Sequence, residues 1–275
     1  MTTVTIGNDH KVIMAARQRD PASRQAKLVG QLNTAGFMSV GDLAAATGVS
    51  EITVRRDLLV LERSGAVRRT HGGALGLRRG DANVYDAQEP SFEARRRRNG
   101  SAKIRIARAA ERLIQPGQSI AIDTGTTTFE LARLASGISD LRIVTNSTRI
   151  AGLLADNPNP VYLPAGRVRG RELSIFGRRA VESLESFSFD VFFLGVSGLT
   201  ADGLFDYSPE DAEVKRAFMA RAAKVVALCD SAKFNRQAMV RVAEPKEVHM
   251  VVCDAAPPAA LAEVLSRAGV ELVVG

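Results

Sequence analysis

Residues 49–74 read VSEITVRRDLLVLERSGAVRRTHGGA. Val54, Leu58 and Leu61 recur at i, i+4 and i+7, the spacing of one buried helical stripe. Ser50 stands ahead of that stripe, where its hydroxyl can accept from the unpaired N–H groups of a first helical turn. Thr53, Arg55 and Arg56 fall off the stripe. Gly65 is predicted to close the helix, Ala66–Thr70 reads as a short strand, and His71-Gly72-Gly73 as a glycine turn. Upstream, Leu28 and Leu32 line one face of a first helix that Gly36 ends. Ser39 can cap a second, short helix carrying Leu43 and Ala44, which Thr47-Gly48 breaks. Two helices around a tight turn, the latter capped and displaying Thr and Arg near its N-terminus, are the layout that sets a recognition helix in the major groove. Arginine can read guanine there, while a basic wing of Arg68, Arg69 and His71 would touch phosphates or the minor groove. Ser50, Thr53, Arg55, Arg56, Arg68, Arg69 and His71 are the predicted DNA contacts.

Charge agrees with that reading. Residues 1–103 hold 17 Lys+Arg against 10 Asp+Glu, and residues 104–275 hold 20 of each, so the whole +7 lies in the first part. Such asymmetry points to a polyanionic partner at the N-terminal end. A chain of 275 residues, 45% hydrophobic, suggests two folded domains. The first 22 residues lack an apolar core and a small-residue cleavage pattern, and no apolar run reaches membrane-span length, so a cytoplasmic location without membrane contact is expected. Cys229 and Cys253 stand far apart, each in an apolar run, and are expected to be buried, inert thiols. His10, His71 and His249 share no ligand spacing, so no metal is expected.

From Ser101 onward, helical stretches alternate with β-rich runs at Ser119–Ile122, Arg142–Thr145, Val161–Leu163, Val191–Gly195, Val225–Cys229 and Val248–Cys253. This alternation predicts an α/β domain with a largely parallel sheet covered on both faces. Asp123, Asn146, Gly195, Ser197, Gly198, Asp230 and Asp254 follow those runs, and such sheets bind ligands beyond the carboxyl ends of their strands. The loop Asp123-Thr124-Gly125-Thr126-Thr127-Thr128 joins a strand to a helix, so helix-start N–H groups and threonine hydroxyls would face an anion. It lacks the second glycine and the lysine of a Walker A loop.

VSEITVRRDLLVLERSGAVRRTHGGA resembles the helix-turn-helix signature of the DeoR-type bacterial transcriptional regulators. DTGTTT, the TNS at Thr145–Ser147, LPAGRVRGRELSIFG, LGVSGLTADG, PEDAEVKRAF and DSAKF then follow in the order of that family's sensor domain. The sensor is similar in fold to ribose-5-phosphate isomerase. The resemblance implies that Asp123, Gly125, Thr126, Thr127 and Thr128 cradle a phosphate with Asn146 nearby, and that Arg169, Glu210, Lys215 and Lys233 surround a sugar. Ala165-Gly166 departs from the family's two glycines. In the isomerase the loop after the central strand is acid-rich; here GVSGLTADG puts serine and leucine in those places, with Asp202 a few residues on.

The expected organisation is a flexible arm (1–22), a winged helix-turn-helix (23–76), a linker (77–100) holding the run Arg95–Arg98, and an α/β effector domain (101–275). The expected function is regulation of transcription as a repressor of a carbohydrate or polyol operon, relieved by a phosphorylated sugar or sugar alcohol. No catalytic residue and no cofactor are expected. A homodimer or homotetramer on double-stranded operator DNA is, because repeated half-sites need repeated heads. The alternative is a sugar-phosphate isomerase with an accessory DNA-binding head.

Overall fold

The computed structural model describes residues 21–35, 37–63, 66–70, 72–76, 84–85 and 89–275. Residues 1–20 of the expected arm, the helix-ending Gly36 and Gly65, the wing residue His71, most of 77–88 and the side chains of Arg68 and Arg69 lie outside the described residues, while Pro21 and Ala22, expected in the arm, open a helix. The chain divides between Ala82 and Asn83 into two compact units.

The first unit opens with α1 (Pro21–Ala35), whose Leu28 and Leu32 are fully buried. A strand that the sequence does not announce, β1 (Phe37–Ser39), leads into α2 (Val40–Thr47). Ser39 Oγ caps that helix by accepting from the Asp42 N–H at 3.1 Å. Gly48 closes it at φ 71°, a left-handed conformation that costs glycine little. Next comes α3 (Glu51–Arg63), capped by Ser50 Oγ accepting from Thr53 N at 3.3 Å. Val54, Leu58 and Leu61 join Leu28, Leu32 and Leu43 in one core. The hairpin β2 (Val67–Thr70) and β3 (Gly73–Gly76) follows, and β1 adds to it, giving a three-stranded antiparallel sheet in the order β1-β3-β2. One element of this small core reads as solvent-facing in sequence yet is buried. Asp57 accepts from Arg24 Nε at 2.5 Å, Arg24 Nη2 at 3.1 Å and Gln25 Nε2 at 3.1 Å, tying α1 to α3. Burial alone would raise its carboxyl, but the Arg24 and Gln25 hydrogen bonds outweigh burial and hold it below the usual range.

The second unit runs β4 (Val84–Tyr85), α4 (Phe92–Arg97), α5 (Gly100–Glu111), β5 (Ser119–Ile122), α6 (Thr126–Ala135), β6 (Arg142–Thr145), α7 (Thr148–Leu153) and β7 (Val161–Tyr162). It continues through β8 (Arg167–Arg169), β9 (Ser174–Phe176), α8 (Arg178–Leu184), β10 (Phe189–Gly195), β11 (Gly198–Thr200), β12 (Gly203–Asp206), α9 (Pro209–Met219) and β13 (Ala222–Cys229). It ends with β14 (Arg236–Gln237), β15 (Val240–Ala243), β16 (Met250–Cys253), α10 (Ala259–Arg267) and β17 (Glu271–Val274). Seven strands form one parallel sheet in the order β17-β16-β13-β10-β5-β6-β7. Alternate residues face opposite layers, as the two-residue period of a strand requires. Ile120, Ile122, Val191 and Phe193 pack with Ile106, Leu131 and Ile150 of α5, α6 and α7. Ala121, Phe192 and Leu194 pack with Leu184, Phe218 and Leu265 of α8, α9 and α10. Both faces are thus apolar, which is why these strands read as continuous hydrophobic runs.

Six of the seven strands coincide with the predicted runs, β5 and β6 at both ends and the other four with one end shifted by one to three residues; β17 is additional. The hairpin β8–β9, the antiparallel sheet β11-β12-β15 and the parallel pair β4–β14 are additional too. These strands of two to four residues carry too little periodicity to stand out.

From Glu89 on, the stretch expected to be a linker packs onto the second unit. Phe92 is buried and meets Phe129 edge-on, with ring centroids 5.7 Å apart. The Arg149 and Arg96 guanidinium groups cover the Phe92 and Phe129 rings at 4.3 and 4.9 Å. Among the described residues no helix is long and apolar enough to cross a membrane. Cys229 and Cys253 are unbonded and buried on adjacent strands, and burial pushes the Cys253 thiol up to about 11.

Candidate functional site

Polar residues converge at the carboxyl ends of β5, β6, β10 and β13. The turn after β5 needs Gly125: its φ is 151°, and a Cβ there would lie 3.0 Å from Thr128 Oγ1. Past it α6 begins, and the leading N–H groups of a helix have no intrahelical acceptor. Asn146, at the end of β6, braces the turn from below by accepting from Thr124 N at 3.0 Å. Asp123 is fully buried, and its Oδ2 accepts from Gly195 N at 2.9 Å and pairs with Lys215. Four buried atoms of this loop and its support have no partner in the protein: Asp123 Oδ1, Thr124 Oγ1, Thr127 Oγ1 and Asn146 Nδ2. Buried polar groups are rarely left so, since each unmade hydrogen bond costs about 1–3 kcal/mol. Their clustering leaves unmet hydrogen-bonding capacity concentrated at one strand-end loop.

Lys215 projects from α9 beneath the loop. It donates to the Gly195 carbonyl at 3.0 Å and lies 3.2 Å from Asp206 Oδ2, besides pairing with Asp123. One ammonium therefore faces several carboxylates, and the surplus negative charge favours protons on both partners. Burial, helped by Asp206 and Asp211, lifts Asp123 to about 6 against the pull of Lys215. Burial draws Lys215 down, but Asp123, Asp206 and Asp211 outweigh it and hold the ammonium above its usual value.

A chain of alternating charges extends sideways from this centre. Arg169 of β8 pairs with Asp211 at 2.5 Å and with Glu89 at 3.0 Å. Arg95 of α4 pairs with the other oxygen of Glu89 at 3.1 Å and with Glu172. Lys233 donates to the Val196 carbonyl at 2.7 Å and lies 3.5 Å from Asp230. Lys103 is only 3% exposed, and its ammonium donates to the carbonyls of Arg95 and Arg98. Burial, reinforced by Lys233, lowers it to about 8. Glu89, Arg95, Glu172, Asp206, Asp211, Lys215 and Lys233 wall a crevice of about 380 Å³ over the threonine loop; a second, more basic recess shares Arg95, Thr126, Ser197 and Lys233 with it and is lined further by Arg98, Lys103 and Arg236.

The structure brings Gly125, Thr126, Thr127, Lys215 and Lys233 to this crevice, with Asp123 and Asn146 buried behind the loop. Arg169 reaches it through Asp211 and Glu89. Two expected residues stand elsewhere. Thr128 turns its hydroxyl back onto the Gly125 carbonyl at 3.0 Å, so it braces the turn. Glu210 is exposed outside the crevice wall at the start of α9 and accepts from the Ser208 hydroxyl at 2.9 Å; its neighbour Asp211 faces the crevice instead. Asp202, noted as the acid nearest the serine-and-leucine loop, is exposed at the β11–β12 turn and outside the crevice wall. Sequence reading passed over Glu89, Arg95, Glu172, Asp206 and Asp211. Only the run Arg95–Arg98 hinted at any of them.

In the first unit, α3 turns Arg55 and Arg56 outward, while Thr53 is half-buried and within 3.0 Å of the Ser50 hydroxyl. Arg55 also lies 3.3 Å from Glu51 one turn back. Arg68 and Arg69 are placed on β2, one of the two edge strands of the sheet.

Comparison with known proteins supplies relatives for both units. Residues 24–78 match the DeoR-like helix-turn-helix domain, and residues 98–255 match the DeoR C terminal sensor domain. The glycerol-3-phosphate regulon repressor of Haemophilus influenzae is 34% identical over 226 residues, covering 82% of this chain and 86% of the relative. The regulator GlpR of Haloferax volcanii is 32% identical over 93% of this chain and 98% of its own length. The repressor CsqR of Escherichia coli is 32% identical over 87% and 90%. Among solved structures, ribose 5-phosphate isomerase A from Methanocaldococcus jannaschii overlaps 50% of this chain and 55% of its own, with 16% identity and a TM-score of 0.38. The chain belongs to the DeoR family of transcriptional regulators, with a helix-turn-helix unit followed by an α/β sensor unit.

Proposed function

We propose that this chain represses transcription of a carbohydrate or polyol operon, and that a phosphorylated sugar or sugar alcohol in the crevice releases it from operator DNA. The observation that carries the ligand half is the set of four unpartnered buried atoms, with donors from Thr124, Thr127 and Asn146 for phosphate oxygens and an acceptor on Asp123 for a hydroxyl. Arg169, Lys215 and Lys233 supply positive charge, and Asp206 and Asp211 complete the polar wall. Relatives named as glycerol-3-phosphate repressors support a small phosphorylated polyol as the class.

Residues 23–76 form the DNA-reading head, with Ser50, Thr53, Arg55, Arg56, Arg68, Arg69 and His71 at the DNA. Residues 77–100 connect it to the effector domain, 101–275. The protein works in the cytoplasm as a homodimer or homotetramer, needs no cofactor or metal, and catalyses no reaction. Asp123 keeps one unpartnered oxygen in the loop itself, whereas, against isomerase chemistry, the next two carboxylates, Asp206 and Asp211, are engaged on each oxygen. Asp206 holds Lys215 and the N–H groups of Tyr207 and Ser208, and Asp211 holds Arg169 and the Ser174 hydroxyl, leaving neither as a base. Signal passes through the segment Glu89–Asn99, which lines the crevice and directly follows the connection to the head in the chain.

The test is a thermal-shift screen of phosphorylated sugars and polyols against their unphosphorylated parents, with operator release and turnover measured for every hit. A phosphorylated compound should raise Tm in proportion to the logarithm of its concentration and release DNA without being converted. Stabilisation by unphosphorylated polyols alone, or isomerised product, would overturn the reading.

A further inference from the structure

On α3 the core stripe of Val54, Asp57, Leu58 and Leu61 occupies one side of the helix. At roughly 100° per residue, Ile52 lies about 170° from the centre of that stripe. It sits in the first turn, between the cap Ser50 and the arginines, and is 74% exposed, the most exposed large apolar side chain among the described residues. Arg56 follows one turn later on the same outward face, and Arg55 flanks it. An isoleucine so placed contributes nothing to the core and carries a cost in water. Two arginines and one glutamate surround it, a net positive setting, and it belongs to the helical turn that approaches base edges most closely. The major groove offers one apolar group in that setting, the 5-methyl of thymine.

We propose that Ile52 determines sequence specificity by packing on a thymine methyl in each operator half-site, while Arg56 and Arg55 engage the bases or phosphates beside it. The inference rests on the DNA-binding reading above. The occupant is duplex DNA because Arg56 and Arg55 lie beside Ile52 on the outward face, outnumbering Glu51, and the N-terminal charge balance is positive.

The experiment uses the full chain and an operator obtained by selection from random duplex DNA. Each thymine is replaced in turn by uracil, which removes only the methyl. Wild type and Ile52→Ala are compared by titration, and their oligomeric state is measured without DNA. At one thymine per half-site, uracil should weaken wild-type binding about fourfold, the equivalent of one buried CH₂. The same change should leave Ile52→Ala unaffected. Folding is not at stake in so exposed a residue, and equal Tm values confirm that. Specific wild-type binding with the same uracil response in both proteins overturns the inference alone. A change in oligomeric state on Ile52→Ala without methyl coupling overturns it in favour of a second copy of this chain. Absence of any sequence-specific wild-type binding overturns the DNA-binding reading and the inference with it.

Discussion

Replacing Lys215 by methionine keeps most of the side chain's length and removes the one ammonium at the centre of the second unit. In the native protein its Nζ pairs with Asp123, lies 3.2 Å from Asp206 Oδ2 and donates to the Gly195 carbonyl at 3.0 Å, all with the side chain buried. Without it, two buried carboxylates lose their cation. Breaking a buried ion pair from one side costs about 3–5 kcal/mol, because the remaining charge keeps its desolvation penalty and loses its compensation. For a unit of this size, where 1 kcal/mol corresponds to about 2–4 °C, the transition should fall by about 6–20 °C. The deficit must depend on pH. Asp123 already stands at about 6, above its ordinary 3.8. A carboxyl raised on folding favours the folded state below its unfolded value and loses that contribution as pH rises through the folded one. Losing Lys215 moves that window further up, so the variant should be weakest near neutral pH and regain stability toward about pH 5. Asp123→Asn in the Lys215→Met background should restore part of the loss at neutral pH. Urea unfolding followed by far-UV circular dichroism at both pH values measures this, with the transitions of the two units fitted separately. A loss under about 1 kcal/mol, no larger than an exposed pair would give, or a loss independent of pH, would refute the reasoning.

Thr127→Val should leave folding stability unchanged or slightly higher, because Oγ1 has no partner to lose. It should weaken a phosphorylated effector about 10- to 100-fold, the worth of one hydrogen bond to a charged group, with unliganded DNA binding intact; calorimetry and operator release report the two. Anion affinity should fall as pH rises through about 8, where burial and Lys233 place the Lys103 ammonium. Lys103→Arg, which keeps its charge, should flatten that profile between about pH 7 and 9.5.

Local chemistry was legible in the sequence. The stripes of α1 and α3, the serine caps, the left-handed Gly48 and six parallel strands each depend on residues within a few positions of one another. The family resemblance likewise rests on contiguous motifs. Strand-end logic then grouped Asp123, Asn146, Gly195 and Ser197 at one edge of the sheet, because the carboxyl ends of parallel strands lie together, and the resemblance added Lys233.

Tertiary structure alone decided which charges meet. Asp57 and Arg24 are 33 residues apart, Lys215 and Asp123 are 92, and Arg95 and Glu172 are 77. No spacing rule links such positions. Helical phase sends Asp211 into the crevice and leaves Glu210 outside, a one-residue step of roughly 100° that composition cannot distinguish. Glu89 and Arg95 became crevice walls because Phe92 beside them is buried against Phe129. The sequence by itself determined two units, the helices of the first, six parallel strands of the second and the threonine loop, since short-range period and capping are written in neighbouring residues. The fold decided which carboxylates and cations surround that loop, because their charges interact strongly only where burial removes the water between them.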